Sequence, residues 1–184
     1  MYNVLYLNDK INFYNAKEKI LIKHVPLYDT LNNGLIVDIK KFYKSFKKLY
    51  KNHNIKSGIF YDKIIIITPP NFNNLYKYVY KEIFSNLNYK IILFKSEINF
   101  YKIAKNIVNI NMNDNYFYYS SNVNGKVKSI LYSIKDLDKI ELNKRNTYFL
   151  YGKCNNEFIQ KLEQGNYNYY IYKDSDNYFI NKIK

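Results

Sequence analysis

Gly152-Lys153 is the pair in this sequence closest to phosphate chemistry, since amides beside a glycine approach phosphate oxygens and a lysine ammonium neutralises them. The glycine that a phosphate-binding loop requires earlier is replaced by Thr147, so the pair does not complete one. Cys154 is the single cysteine and has no general base nearby in sequence, which reads as a small packed side chain rather than a nucleophile. His24 and His53 are the only other soft ligands; they are far apart, read as surface or loop histidines, and do not have the spacing of a zinc site. Lys40, Lys41, Lys44, Lys47, Lys48 and Lys51 gather within roughly a third of a helical wheel. They read first as a solvated face and second as a docking face for an anionic surface, membrane or nucleic acid. Tyrosine-rich runs at Tyr116–Tyr119 and Tyr167–Tyr172 have the rings to stack nucleobases. Without an arginine-rich stripe they read as core and edge packing.

These groups must be positioned by an alternation of strands and helices. Residues 2–7, 11–14 and 20–25 predict three short strands, the first two joined by Asn8-Asp9-Lys10. Asp38 is a candidate cap for a helix to about Tyr50, with an apolar stripe of Ile39, Phe42, Tyr43, Phe46 and Leu49. Lys63–Thr68 is a β-branched run ended by Pro69-Pro70. A helix over Phe72–Leu87 follows, with Asn71 or Asn73 as cap, then an apolar strand over Lys90–Phe94 and a further helix over Ser96–Val108. Strands apolar on both sides imply a sheet covered on both faces by crossover helices. Glu97, in the first turn of the last of these helices, complements its dipole.

The polar stretch Asn111–Asn115 marks the expected boundary, giving a first lobe over 1–112 and a second over 113–184. The second lobe predicts a hairpin around Asn124-Gly125, a short helix over 134–140, then strand, helix, strand and helix to Ile183. Its order repeats the first with one opening strand missing. The repeat is one of topology, without sequence self-similarity.

Hydrophobic residues at 47% and aromatics at 19% exclude a disordered tail, and 184 residues suffice for a real core. A net charge of +14 ordinarily suggests a polyanionic partner. Arg145 is the single arginine, and the wealth of Lys, Asn, Ile, Tyr and Phe is also what AT-rich codons produce. One cysteine, no long apolar run and no leader-like order at Met1–Leu7 lead to the expectation of a soluble cytoplasmic protein, peripheral to the membrane if the lysine face meets one.

Two consecutive lobes of this order resemble the actin and sugar-kinase superfamily, and several segments resemble its bacterial branch, MreB and FtsA. Pro26-Leu27-Tyr28-Asp29 and Gly34-Leu35-Ile36-Val37-Asp38 resemble a Pro-Leu-x-Asp-Gly-Val-Ile-Ala-Asp segment that precedes a helix there. Ile64–Pro70 resembles the strand ending in a Val-Pro-Ser turn, and Ser96-Glu97-Ile98-Asn99-Phe100 the Glu-Glu-Pro-Leu-Ala-Ala-Ala helix start. Phe149-Leu150-Tyr151-Gly152-Lys153 resembles the Leu-Thr-Gly-Gly-Gly adenosine loop. The implied fold is α/β: an actin-like, RNase H-like mixed sheet with helices on both faces, in two small lobes without the inserted subdomains.

The resemblance also implies what has been lost. Its members hold ATP and Mg²⁺ between lobes with two glycine-rich hairpins, because only glycine lets successive amides close on phosphates. The first hairpin here reads Tyr6-Leu7-Asn8-Asp9-Lys10, without glycine. The second is matched to Tyr119–Gly125, with Asn122, a lone Gly125 and no aspartate. Glu97 alone matches a catalytic carboxylate, and Asp9 lies near one. A residual cleft would then consist of Asp9, Glu97, Asn122, Gly125, Gly152 and Lys153, with ATP and Mg²⁺ binding lost. The implied role is that of a pseudo-ATPase, a scaffold or interaction partner among cytoskeletal or divisome components in cell shape or division, with self-association open at tyrosine-rich edges. Two other readings stand beside it: a nucleic-acid-binding module using the Lys40–Lys51 face, and structural nucleotide binding without turnover.

Overall fold

The computed structural model describes residues 2–8, 10–26, 30–32, 34–55, 63–102, 104–172 and 174–183. They divide into two compact units, one of residues 1–97 with 179–184, the other of residues 98–178.

In the first unit the chain runs β1 (Asn3–Leu7), β2 (Ile11–Asn15), β3 (Ile20–His24), the two-residue pair β4 (Leu31–Asn32) and β5 (Leu35–Ile36), α1 (Ile39–Asn52), β6 (Lys63–Thr68), α2 (Asn74–Ser85) and β7 (Ile91–Ser96). The sheet order is β3-β2-β1-β6-β7. β2 is antiparallel to β1 and β3, whereas β6 is parallel to β1 and β7. Alternation decides the faces. Leu5, Leu7, Phe13, Ile64 and Ile66 point to one side and share a core with Phe42, Phe46 and Leu49 of α1 and Ile83 and Phe84 of α2. On the other side Tyr6 meets the ring of Phe179 at 5.3 Å. The central strands β1 and β6 are therefore buried on both faces, as a continuous β-branched run requires. β7 differs from the expected interior strand. It lies at the sheet edge, with alternate residues exposed.

Both long helices begin where short polar side chains supply acceptors for otherwise orphaned amides. Asp38 accepts from Lys41 N–H at 2.9 Å, and Asn73 from Tyr76 N–H at 3.0 Å. The Asp38 carboxyl is held below its ordinary pKa chiefly by that backbone bond. Ile39 does not join the buried stripe and stays 49% exposed.

A 3-10 turn at Glu97–Phe100 leads from the first unit into the second, which contains β8 (Ile107–Met112), β9 (Tyr116–Val123), β10 (Lys126–Ser133), a 3-10 helix at Ile134–Lys139, β11 (Thr147–Gly152), α3 (Asn156–Gln164) and β12 (Asn168–Tyr172). The chain closes with α4 (Ser175–Asn181). Here the sheet order is β10-β9-β8-β11-β12, the same arrangement of strand positions and directions as the first sheet. Val108, Ile110, Met112, Tyr148 and Leu150 face Phe158 and Leu162 of α3. Asn109 and Tyr151 are buried on the opposite face, where Asn109 receives Tyr151 Oη–H at 3.2 Å and Lys102 N–H at 3.2 Å.

Three expectations are corrected. The helix over Ser96–Val108 is instead a short 3-10 turn and the strand β8. Its apolar residues Val108, Ile110 and Met112 alternate with Asn109 and Asn111, the period of two of a strand, and the β-branched Ile107, Val108 and Ile110 suit it. The boundary therefore falls at 97/98 rather than 112/113, because β8 pairs with β9 and β11 at the centre of the second sheet. The second lobe consequently lacks no opening strand.

Candidate functional site

In an open sheet of this kind, ligands are held at the carboxyl ends of the parallel strands. In the first unit that end is formed by β1, β6 and β7, and three polar side chains are buried there: Asn8, Thr68 and Glu97. Asp9, also expected at this turn, lies outside the described residues, as do Leu27, Tyr28 and Asp29. The β1–β2 turn closes on itself. Asn8 N–H donates to Lys10 O at 3.2 Å, and Lys10 N–H donates to Asn8 Oδ1 at 2.8 Å. Asn12 Nδ2 reaches back to Tyr6 O and Asn8 Oδ1, both at 3.3 Å. Gly34 sits over the same end with φ +75°, and a Cβ there would lie 2.5 Å from Leu7 O. Tyr80 Oη–H fixes that glycine through its carbonyl at 2.7 Å. Burial holds the Tyr80 phenol far above its ordinary pKa.

In the second unit the equivalent end is formed by β8, β11 and β12, and the turn equivalent to β1–β2 is Asn113-Asp114-Asn115 between β8 and β9. The expected second hairpin, with Asn122 and Gly125, is misplaced. It lies at the β9–β10 turn, and because β9 is antiparallel to β8 that turn is at the opposite end of the sheet. Asn124 and Gly125 do form the positive-φ turn that the pair predicts, at φ 53° and 79°. Gly152 and Lys153, by contrast, stand beside Asn113–Asn115. Gly152 has φ +81°, and a Cβ would run into Met112 O. This close approach lets Lys153 N–H donate to Met112 O at 3.0 Å. Lys153 Nζ pairs with Asp114 Oδ2 at 2.6 Å. The turn closes through Asn113 N–H to Tyr116 O at 2.9 Å, and Asn113 Nδ2 also bonds Tyr116 Oη. Cys154 Sγ is turned to Gly152 O, and Asn155 caps α3 by accepting from Phe158 N–H at 3.0 Å.

The geometry thus brings Gly152 and Lys153 to one end of one lobe, puts Glu97 at the corresponding end of the other, and removes Asn122 and Gly125 from both. Asn8, Thr68, Asn111, Asn113 and Asp114 were missed as site residues. The signal for the last two was the repeat of an Asn-Asp turn after a strand, at Asn8-Asp9 and again at Asn113-Asp114. Glu97 opens a single 3-10 turn rather than a helix, and is buried. His24 is not a free surface group: its Nε2 lies 3.1 Å from Ser45 Oγ. Burial, then Lys48 and His53, lower its pKa. Among the described residues no three His, Cys, Asp or Glu side chains gather as metal ligands. Nor is any helix there long and apolar enough to cross a membrane.

No protein-family description matches the chain, and no curated protein sequence does. Solved structures do. The chain superposes over 100% of its length on 96% of MreB5 of Spiroplasma citri bound to ADP, with a TM-score of 0.57 at 9% identity. A Bacteroides thetaiotaomicron protein described as having an actin-like ATPase fold and unknown function gives 0.53 at 10% identity, over 95% of this chain and 93% of that one. The fold is actin-like.

The carboxyl ends described above are thus those of two actin-like lobes. Against MreB 5 of Spiroplasma citri bound to AMPPNP, 76% of the chain covers 55% of that protein, at 12% identity and a TM-score of 0.49. Between β3 and α1 the described chain makes only the β4–β5 pair, and between β10 and β11 only the 3-10 helix. Neither actin-like lobe shows an inserted subdomain among the described residues.

Proposed function

We propose that this chain is a non-catalytic actin-fold protein, working by interaction rather than by ATP turnover in bacterial cell shape, division or cytoskeletal organisation. One observation carries the proposal. Amides at both equivalent ends are turned inward: those of Asn8 and Lys10 within the first hairpin, that of Asn113 on Tyr116 O in the second, and that of Lys153, beside it after β11, on Met112 O. An anion-binding hairpin works by leaving successive N–H groups unspent and converging on the phosphate. Here side chains of asparagine, aspartate and lysine fill the place where glycine would leave room. Lys153, the cation best placed for a phosphate, is paired with Asp114. The protein would be cytoplasmic, and its contribution would be a surface presented to partners.

Isothermal titration with Mg-ATP tests this directly. The expected outcome is no saturable heat and no phosphate release over hours. Micromolar binding, or measurable hydrolysis, would overturn the proposal.

A further inference from the structure

The six lysines of α1 do not form a single surface. At about 100° per residue, Lys40, Lys47 and Lys51 fall within about 40° of one another, while Lys41, Lys44 and Lys48 are turned further round. The first three line two adjoining recesses between α1 and α2 that share Tyr43 and Asn86, one of ≈ 440 Å³ and the other of ≈ 860 Å³. The walls of the first are apolar: Ile39 and Tyr43 on one side, Tyr78, Val79 and Ile83 on the other. Ile39 is 49% and Tyr78 69% exposed, so large apolar side chains stand in water on both sides of the groove. Lys47 Nζ rests 4.4 Å from the Tyr43 ring centroid, holding cation and aromatic at the same rim. Among the described residues Glu82 is the single acidic one lining either recess.

We propose that this groove takes an acidic amphipathic helix from a partner protein, its apolar face between α1 and α2 and its carboxylates against Lys40, Lys47 and Lys51. An apolar trough flanked by helices is the shape that i, i+3, i+4 side chains of a third helix fill. α1 is 14 residues long, about 21 Å, which sets the occupant at about four turns. Charge selects among occupants. A second copy, at +14, would bring like charge to a lysine rim. A bilayer is flat and meets the rims without filling the recess, and a phosphate backbone leaves the apolar walls in contact with charge. The proposal deepens the interaction-partner reading above and rests on it. A nucleotide titration, however, leaves the groove result untouched, so the two fail separately.

The sequence has no tryptophan. A synthetic, end-capped peptide of about fourteen residues, with leucines at i, i+3, i+4 and i+7, glutamates elsewhere and one tryptophan, therefore reports binding by its own fluorescence. Saturable binding is expected, and K40E/K47E/K51E should weaken it by about tenfold or more. K41E/K44E/K48E makes the same change of net charge off the groove and should weaken it by less than about threefold. Tyr78→Ala, at an exposed position, should weaken it without any charge change. Circular dichroism of each variant confirms that it is folded. Absence of saturable binding overturns the proposal, as do equal losses in both triple variants. So does tighter, groove-dependent binding of phosphatidylglycerol vesicles or duplex DNA, which would assign the surface to a membrane or a nucleic acid.

Discussion

Gly125 and Gly152 have nearly the same backbone conformation, φ 79° and 81°, yet they are held for different reasons. Nothing lies within 4 Å of a Cβ at Gly125, whereas one at Gly152 meets the Met112 carbonyl and, at 3.1 Å, Asn111 Oδ1. Gly125→Ala therefore adds only the left-handed penalty, about 1 kcal/mol. Gly152→Ala adds the same penalty and also displaces the Lys153 N–H to Met112 O bond, for a total of about 2–4 kcal/mol. Urea unfolding of the two variants measures the difference. Equal losses would show that the close approach at Gly152 does not matter. The contrast also explains which glycine was readable. Asn124-Gly125 announces its turn locally, while the demand at Gly152 comes from a carbonyl 40 residues earlier in the chain, brought there by the β8–β11 pairing.

Among elements, α1 shows how pattern becomes packing. Phe46 meets Phe13 at 5.7 Å, Phe84 at 5.5 Å and Tyr50 at 5.0 Å, so it joins β2, α2 and its own helix in one aromatic cluster. Phe46→Ala should cost about 3–5 kcal/mol, since rigid neighbouring rings cannot collapse into the space. Ile39→Ala, on the same helix but half in water, should stay within about 0.5 kcal/mol. Thermal or urea melts of the pair decide whether the stripe is Phe42-Phe46-Leu49 alone. The caps Asp38 and Asn73 were legible because capping is a contest within four residues, whereas the Asn155 cap of α3 was not singled out. The strand β8 was not. Phe100, Ile103, Ile107 and Ile110 fall on one face at helical spacing, and only pairing with β9 and β11 on either side selects the alternation.

Among the described residues two five-stranded sheets share one strand order, beside the small β4–β5 pair, with no detectable sequence repeat. On the proposed reading, millimolar Mg-ADP or Mg-ATP should leave the melting temperature unchanged. A ligand at a hundred times its dissociation constant would add about 2.7 kcal/mol, an upward shift of several degrees. The amino-acid sequence by itself determined most of the alternation of strands and helices, the caps of the two long helices, the Asn124-Gly125 turn and the glycine-free first hairpin, all of which are set by interactions within a few residues. Only the tertiary structure decided that β8 opens the second sheet and that Asn113–Asn115, not Asn122–Gly125, is the turn matching Asn8–Lys10. It also divided the lysine face between a groove and open solvent. Each of these depends on which distant strand or helix lies alongside, and a linear pattern carries no record of that neighbour.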